Sequence, residues 1–163
     1  MGCIGEDLDD ALLKAMLSVG HRIPRKGVLI SSGDAGQKSD MLQASKLLAE
    51  SGLKIYATKG TCKFLTENGI HCLRALWPSE VAELSEGNTT EVTAAPAALD
   101  LIQNHTVDLV ITIPKNFSHR ELTNGYYVRR AAIDFNVPLI TNSRLATAYI
   151  IAFHRRPQDK ITI

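Results

Sequence analysis

From residue 27 onward, apolar runs of strand length alternate with amphipathic segments of helix length, and this alternation leaves few architectures open. The runs are Gly27 to Ser31, Leu53 to Ala57, Ile70 to Leu76, Val107 to Ile113 and Val137 to Thr141. Between them lie four helical patterns. One starts near Ser39, carries Met41, Ala44, Leu47 and Leu48 on one face, and stops at Gly52. A short one carries Phe64 and Leu65 and ends at Asn68-Gly69; the others run from Pro96 to Asn104 and from Tyr126 to Asn136. A last helix, Leu145 to Phe153, follows the capping pair Asn142-Ser143. Strands that each lead into a helix cannot pair as hairpins, so they pair in parallel through crossovers. The expectation is an α/β protein: a five-stranded, mainly parallel sheet with helices on both faces, a Rossmann-type three-layer arrangement with right-handed crossovers.

The remaining segments are less regular. Glu6 to Val19 has helical spacing at Leu8, Leu12, Ala15 and Met16, but no strand follows it, and Pro24 separates it from the rest. It reads as a detached piece, with residues 1–25 forming a helix and linker and 26–163 the α/β domain. Trp77 to Ala94 and Pro114 to Thr123 read as polar loops, and Lys160 to Ile163 as a short edge strand. A chain of 163 residues fits one domain and buries enough surface to need no metal or disulfide. Eighteen Lys+Arg against 17 Asp+Glu give a net charge of +1, so nucleic acid is not an expected partner. No apolar run approaches the ~18 residues of a membrane span, so no membrane partner is expected either. The acidic N-terminus has no signal-peptide core. Cys3, Cys62 and Cys72 lack metal or redox spacing and read as free thiols of a reducing compartment.

Open parallel sheets bind ligands beyond the carboxyl ends of their strands, which selects a few loops for closer reading. Thr58-Lys59-Gly60-Thr61 lies between a strand and a helix. Its hydroxyls and the first N–H groups of the helix could surround an anion; the other reading is an ordinary helix cap. Lys38 follows the Gly-rich turn Ser32 to Gln37 and could neutralise the same anion, or be a solvated surface lysine. The turn is not a P-loop, because its glycine–lysine spacing is wrong. Trp77 ends a strand, placed either to stack on a ligand or to close the core edge. In Arg129-Arg130 at most one side chain faces a pocket. Five scattered histidines and a lone Asp34 in the first ligand loop form no catalytic set. The residues alone describe a small-anion-binding α/β domain.

Several segments, in order, resemble the methylglyoxal-synthase-like domain found at the C-terminus of carbamoyl-phosphate synthase large subunits. They are the first strand with Lys38, Ala57 to Thr61, Val110 to Pro114, Gly125-Tyr-Tyr-Val-Arg-Arg-Ala-Ala132 and Val137 to Asn142. Asp9 to Pro24 resembles the helix and linker that join that domain to the preceding ATP-grasp half. The resemblance implies a non-catalytic regulatory fragment of an ATP-dependent ligase. Its partners would be a small anionic effector, the catalytic domains of the same subunit and a glutaminase small subunit. ATP, magnesium and, as a further candidate, potassium would belong to the parent enzyme, with no cofactor in this fragment. The location implied is cytoplasmic, or mitochondrial for a urea-cycle type.

By the same resemblance, effector contacts fall on Lys38, Thr58, Lys59, Gly60, Thr61, Trp77, Thr112 and Lys115. UMP or IMP is implied for glutamine-dependent relatives and N-acetylglutamate for ammonia-dependent ones. Trp77-Pro78-Ser79 matches the second group, but Asn116 and Asn124 stand one position away from its asparagines. The balance leans to a nucleotide or other phosphate. The enzymatic alternative is a phosphate-eliminating lyase of the methylglyoxal synthase type. It would need a carboxylate base and a His-Asp pair after the first strand, which ends Ser31-Ser-Gly-Asp34.

Overall fold

The computed structural model describes residues 8–18, 23–32, 35–85, 95–113 and 119–155, with the backbone alone described at 10, 35–40, 84–85 and 119–121. The elements run α1 (Leu8–Ser18), β1 (Gly27–Ser31), α2 (Ala35–Glu50), β2 (Lys54–Ala57), α3 (Lys59–Glu67) and β3 (Leu73–Arg74). They continue with α4 (Pro78–Ser85), α5 (Ala98–Gln103), β4 (Leu109–Thr112), α6 (His119–Asp134), β5 (Leu139–Ile140) and α7 (Ser143–Arg155). The five strands form one sheet in the order β3-β2-β1-β4-β5, and every pair is parallel. The expected edge strand at Lys160 to Ile163 lies outside the described residues.

Side-chain alternation along the strands divides the core in two. Val28, Ile30, Ile55, Ala57, Leu109 and Ile111 face one way, toward Met41 and Leu48 of α2 and Tyr149, Ile150 and Phe153 of α7. Leu29, Tyr56 and Val110 face the other way, toward Leu101 and Ile102 of α5 and Val128 and Ala132 of α6. Central strand β1 is buried at all five positions, as helices on both faces require.

Four helices end with the same device. After α2, α3, α5 and α6 the chain passes through one left-handed residue: Gly52, Gly69, His105 and Asn136 respectively. The next N–H reaches back to a carbonyl inside the helix: Leu53 to Leu48, Ile70 to Leu65, Thr106 to Leu101 and Val137 to Ala132. These Schellman closures satisfy terminal carbonyls and turn the chain straight toward the following strand. At the entrance to β1, the Asp108 carboxylate accepts from three successive N–H groups, Arg25 at 2.7 Å, Lys26 at 3.1 Å and Gly27 at 3.2 Å.

The structure revises several boundaries. Helix α1 does not stand apart: Leu13 and Met16 belong to the core cluster, and α1 packs on α7, joined also by Arg155 to Asp9 at 3.4 Å. Its apolar stripe needs a cover, and α7 supplies one. The third strand pairs only at Leu73–Arg74, because the chain then bends so that Leu76 bridges Ala97. The segment expected as a loop after Trp77 begins with α4. Helix α2 starts at Ala35 instead of near Ser39, and α6 at His119 instead of Tyr126.

Candidate functional site

The strand order reverses at β1. The chain leaves β1 for β2 on one side and later returns to β4 on the other. The carboxyl ends of β2, β1 and β4 therefore face the crevice where open α/β sheets take ligands. Most of the buried polar residues gather there: Ser31, Ser32, Thr58, Thr61 and Thr112 are all under a tenth exposed. A row of hydroxyls thus closes the end of an otherwise apolar sheet.

Thr61 holds this row together. Its Oγ1 accepts from the Ser32 N–H at 3.0 Å and donates to the Ser32 carbonyl at 3.3 Å. Helix α3 is thereby tied to the end of β1. Thr58 Oγ1 leans toward Ser31 Oγ at 3.4 Å, and the Ile113 N–H donates to the Ser31 carbonyl at 2.7 Å. Thr112 sits in register opposite Ser31. Ser32 Oγ is buried and has no hydrogen-bond partner among the described residues.

Thr58 occupies the N-cap of α3 with extended backbone, but its side chain makes no cap hydrogen bond. The cap position expected for Thr58 is thus borne out, without the side-chain hydrogen bond of an ordinary cap. The Cys62 N–H closes the first turn on the Thr58 carbonyl at 2.7 Å. The N–H groups of Lys59, Gly60 and Thr61 precede that turn, so they have no acceptor within the helix. Lys59 and Gly60 are exposed. An N-terminus of this kind carries a partial positive charge suited to an anion.

The other expected residues divide. Lys38 falls in the first turn of α2, just past the end of β1, with only its backbone described. Lys115, and with it Asn116, lies outside the described residues. Trp77 is half-buried and packs against the Leu29–Tyr56–Val110 cluster, as a core-edge residue would.

The chain after Trp77 is fixed in a way that sequence reasoning missed. Pro78 opens α4, where its missing N–H costs nothing. Glu80 reaches back to accept from the Trp77 N–H at 3.1 Å and pairs with Arg74 at 2.7 Å. Buried Asn124 of α6 accepts from the Ser79 N–H at 3.0 Å and donates to Ser79 Oγ at 2.9 Å. The start of α4, in a segment read from the sequence as a polar loop, is pinned to both β3 and α6. Pro at the first helical position with Glu two residues later was the readable signal. Nothing in the sequence marks Asn124 as the partner of Ser79. Ser31 and Ser32 could have been found as the hydroxyls ending the first apolar run.

Among the described residues, no group of three His, Cys, Asp or Glu side chains could hold a metal ion, and no helix is long and apolar enough to cross a membrane.

Comparison with known proteins agrees with this fold. The family model described as MGS-like domain matches residues 40–141. The chain is 38% identical over 149 residues to the Aquifex aeolicus protein named carbamoyl phosphate synthase large chain, C-terminal section, covering 91% of this chain and 25% of that one. It is 36% identical over 160 residues to Multifunctional protein ura1 of Schizosaccharomyces pombe, covering 95% of this chain and 7% of the other. It is 32% identical over 155 residues to human mitochondrial carbamoyl-phosphate synthase [ammonia], covering 95% of this chain and 10% of that one. The chain thus spans a quarter or less of these relatives, which are longer proteins. With the matched region spanning β2 to β5 of the parallel sheet, the chain belongs to the MGS-like domain family.

Proposed function

We propose that this chain is the regulatory region of a carbamoyl-phosphate synthase large chain and binds a small anionic effector at the carboxyl edge of β1 and β2. One observation carries the reading: the uncapped start of α3 lies beside the buried, unpartnered Ser32 Oγ, at the point where the strand order reverses. An anion there would take N–H donors from Lys59 to Thr61, with Lys38 on the neighbouring helix to balance charge. Thr61 acts by positioning, since its hydroxyl is already engaged with Ser32.

The effector class is a phosphate-bearing nucleotide, UMP or IMP, with N-acetylglutamate as the alternative carboxylate ligand. The partners are the catalytic domains of the same polypeptide, with a glutaminase subunit in glutamine-dependent forms. ATP and metal ions act in the parent enzyme, in the cytoplasm or, for an ammonia-dependent form, in mitochondria. An effector biases a distant site only through its differential affinity for two states, typically ~1–3 kcal/mol. Relatives named as carbamoyl phosphate synthase support the regulatory reading over the lyase reading. Among the described side chains, Glu80 is the carboxylate closest in sequence to a ligand loop, and it is occupied by Arg74 and the Trp77 N–H.

Calorimetric titration with UMP, IMP and N-acetylglutamate, with inorganic phosphate as competitor, tests the proposal. Saturable nucleotide binding displaced by phosphate, and weakened by Lys38→Ala, is expected, together with no phosphate release from dihydroxyacetone phosphate. Binding unaffected by both phosphate and Lys38→Ala would overturn the site.

A further inference from the structure

We propose that Cys62 and Cys72 form a reversible dithiol–disulfide site, closed by exchange with a small-molecule disulfide. Cys62 lies in the first half of α3 and Cys72 on the approach to β3, ten positions apart in sequence yet with their sulfurs 2.9 Å apart. The Cys72 thiol also lies 3.4 Å from the Cys62 carbonyl, and Thr66 Oγ1 is 3.6 Å from Cys72 Sγ. Both cysteines are reduced and only partly buried, at the margin of the core, so a small reagent can reach them. A disulfide bond is ~2.05 Å long, so closure asks the sulfurs to approach by only about 0.9 Å from their present 2.9 Å. Spacing in the sequence concealed the pair, because it is made by a helix folding back onto the following strand.

The exchange balances without other redox partners. One cysteine thiolate attacks one sulfur of the small disulfide and keeps it as a mixed disulfide, while the reagent's S–S bond breaks and its other sulfur leaves as a thiolate that takes a proton from solvent. The second cysteine, losing its proton to solvent, attacks the protein sulfur of that mixed disulfide and expels the second thiol. Two protein thiols are oxidised and one small disulfide is reduced to two thiols. Burial, followed by the hydrogen bond with Cys62, pushes the Cys72 thiol up to about 11. That suits Cys72 to the second step, where proximity substitutes for thiolate abundance. The bond forms or fails to form whether or not the neighbouring turn takes an anion.

The test exposes reduced Cys3→Ser protein to glutathione disulfide at mildly alkaline pH, then maps tryptic peptides without reduction. Residues 60–63 and 64–74 are expected as one linked species, two hydrogens lighter than their sum, with two thiols lost per chain. The melting temperature should rise by about 5–10 °C, as closing a loop of this length predicts, and dithiothreitol should reverse the change. In Cys72→Ser the reaction should stop at a glutathione adduct on Cys62. Thiols that stay unmodified, or separate glutathione adducts on Cys62 and Cys72 with no linked peptide, would overturn the proposal.

Discussion

Thr61→Val keeps the size and branching of the side chain and removes only its hydroxyl. That hydroxyl accepts from the Ser32 N–H at 3.0 Å and donates to the Ser32 carbonyl at 3.3 Å, and both residues are under a tenth exposed. The variant therefore leaves a buried N–H and a buried carbonyl without this partner. A stranded buried group costs ~1–3 kcal/mol, and the longer, weaker bond to the carbonyl contributes the smaller share. The expected loss is about 2–3 kcal/mol, or roughly 5–10 °C in melting temperature for a domain of this size. Thr61→Ser restores the hydroxyl and loses only a methyl, so it should recover most of the deficit. Urea unfolding followed by circular dichroism measures both variants. Thr61→Val unfolding at the wild-type midpoint, or Thr61→Ser as unstable as Thr61→Val, would refute the view that Thr61 ties α3 to the end of β1.

The clamp between α4 and α6 predicts coupling: Asn124→Ala and Ser79→Ala should each destabilise, and the double variant should fall short of their sum by about 0.5–1.5 kcal/mol in a double-mutant cycle. His105 is exposed and holds φ 53, so His105→Gly should stabilise by roughly 0.5–1 kcal/mol, read as a raised urea midpoint. The reduced protein should lose stability as pH rises from about 9 to about 11. Cys72 keeps its proton in the folded state over that window and releases it in the unfolded state, so the native state binds more protons and the slope is negative. Melting curves across that window should show a shallower fall for Cys72→Ser than for wild type.

The strands were the readable part of this fold, because helices cover both faces and burial leaves β1 and β4 almost wholly apolar. Helix ends marked by a glycine were also readable, since Gly52 and Gly69 take positive φ, and so was the start of α7, where Asn142 Oδ1 accepts from the Leu145 N–H at 3.0 Å. The other helix starts were less so. Gly125 looked like a boundary, yet it sits inside α6, where an added Cβ would stand 3.0 Å from the Arg129 guanidinium. Gly36 likewise made the start of α2 look like turn. In Trp77-Pro78-Ser79-Glu80 the proline and glutamate were start signals for α4, but the tryptophan drew the reading toward a ligand. Of the candidate site, the Thr58 to Thr61 turn was legible from its place between strand and helix. The pairings of Thr61 with Ser32, Asn124 with Ser79 and Cys62 with Cys72 were not, since each joins segments brought together only by tertiary packing.

The start of α3, against the end of β1, is the proposed seat of an anion. Amide chemical shifts of the labelled protein, followed by two-dimensional NMR during titration with inorganic phosphate and then UMP, IMP and N-acetylglutamate, read that position directly. Saturable shifts concentrated at Lys59, Gly60, Thr61 and Ser32 are expected, reached with both phosphate and the true effector. Saturable shifts centred on other residues, or none with any of the four compounds, would contradict that placement.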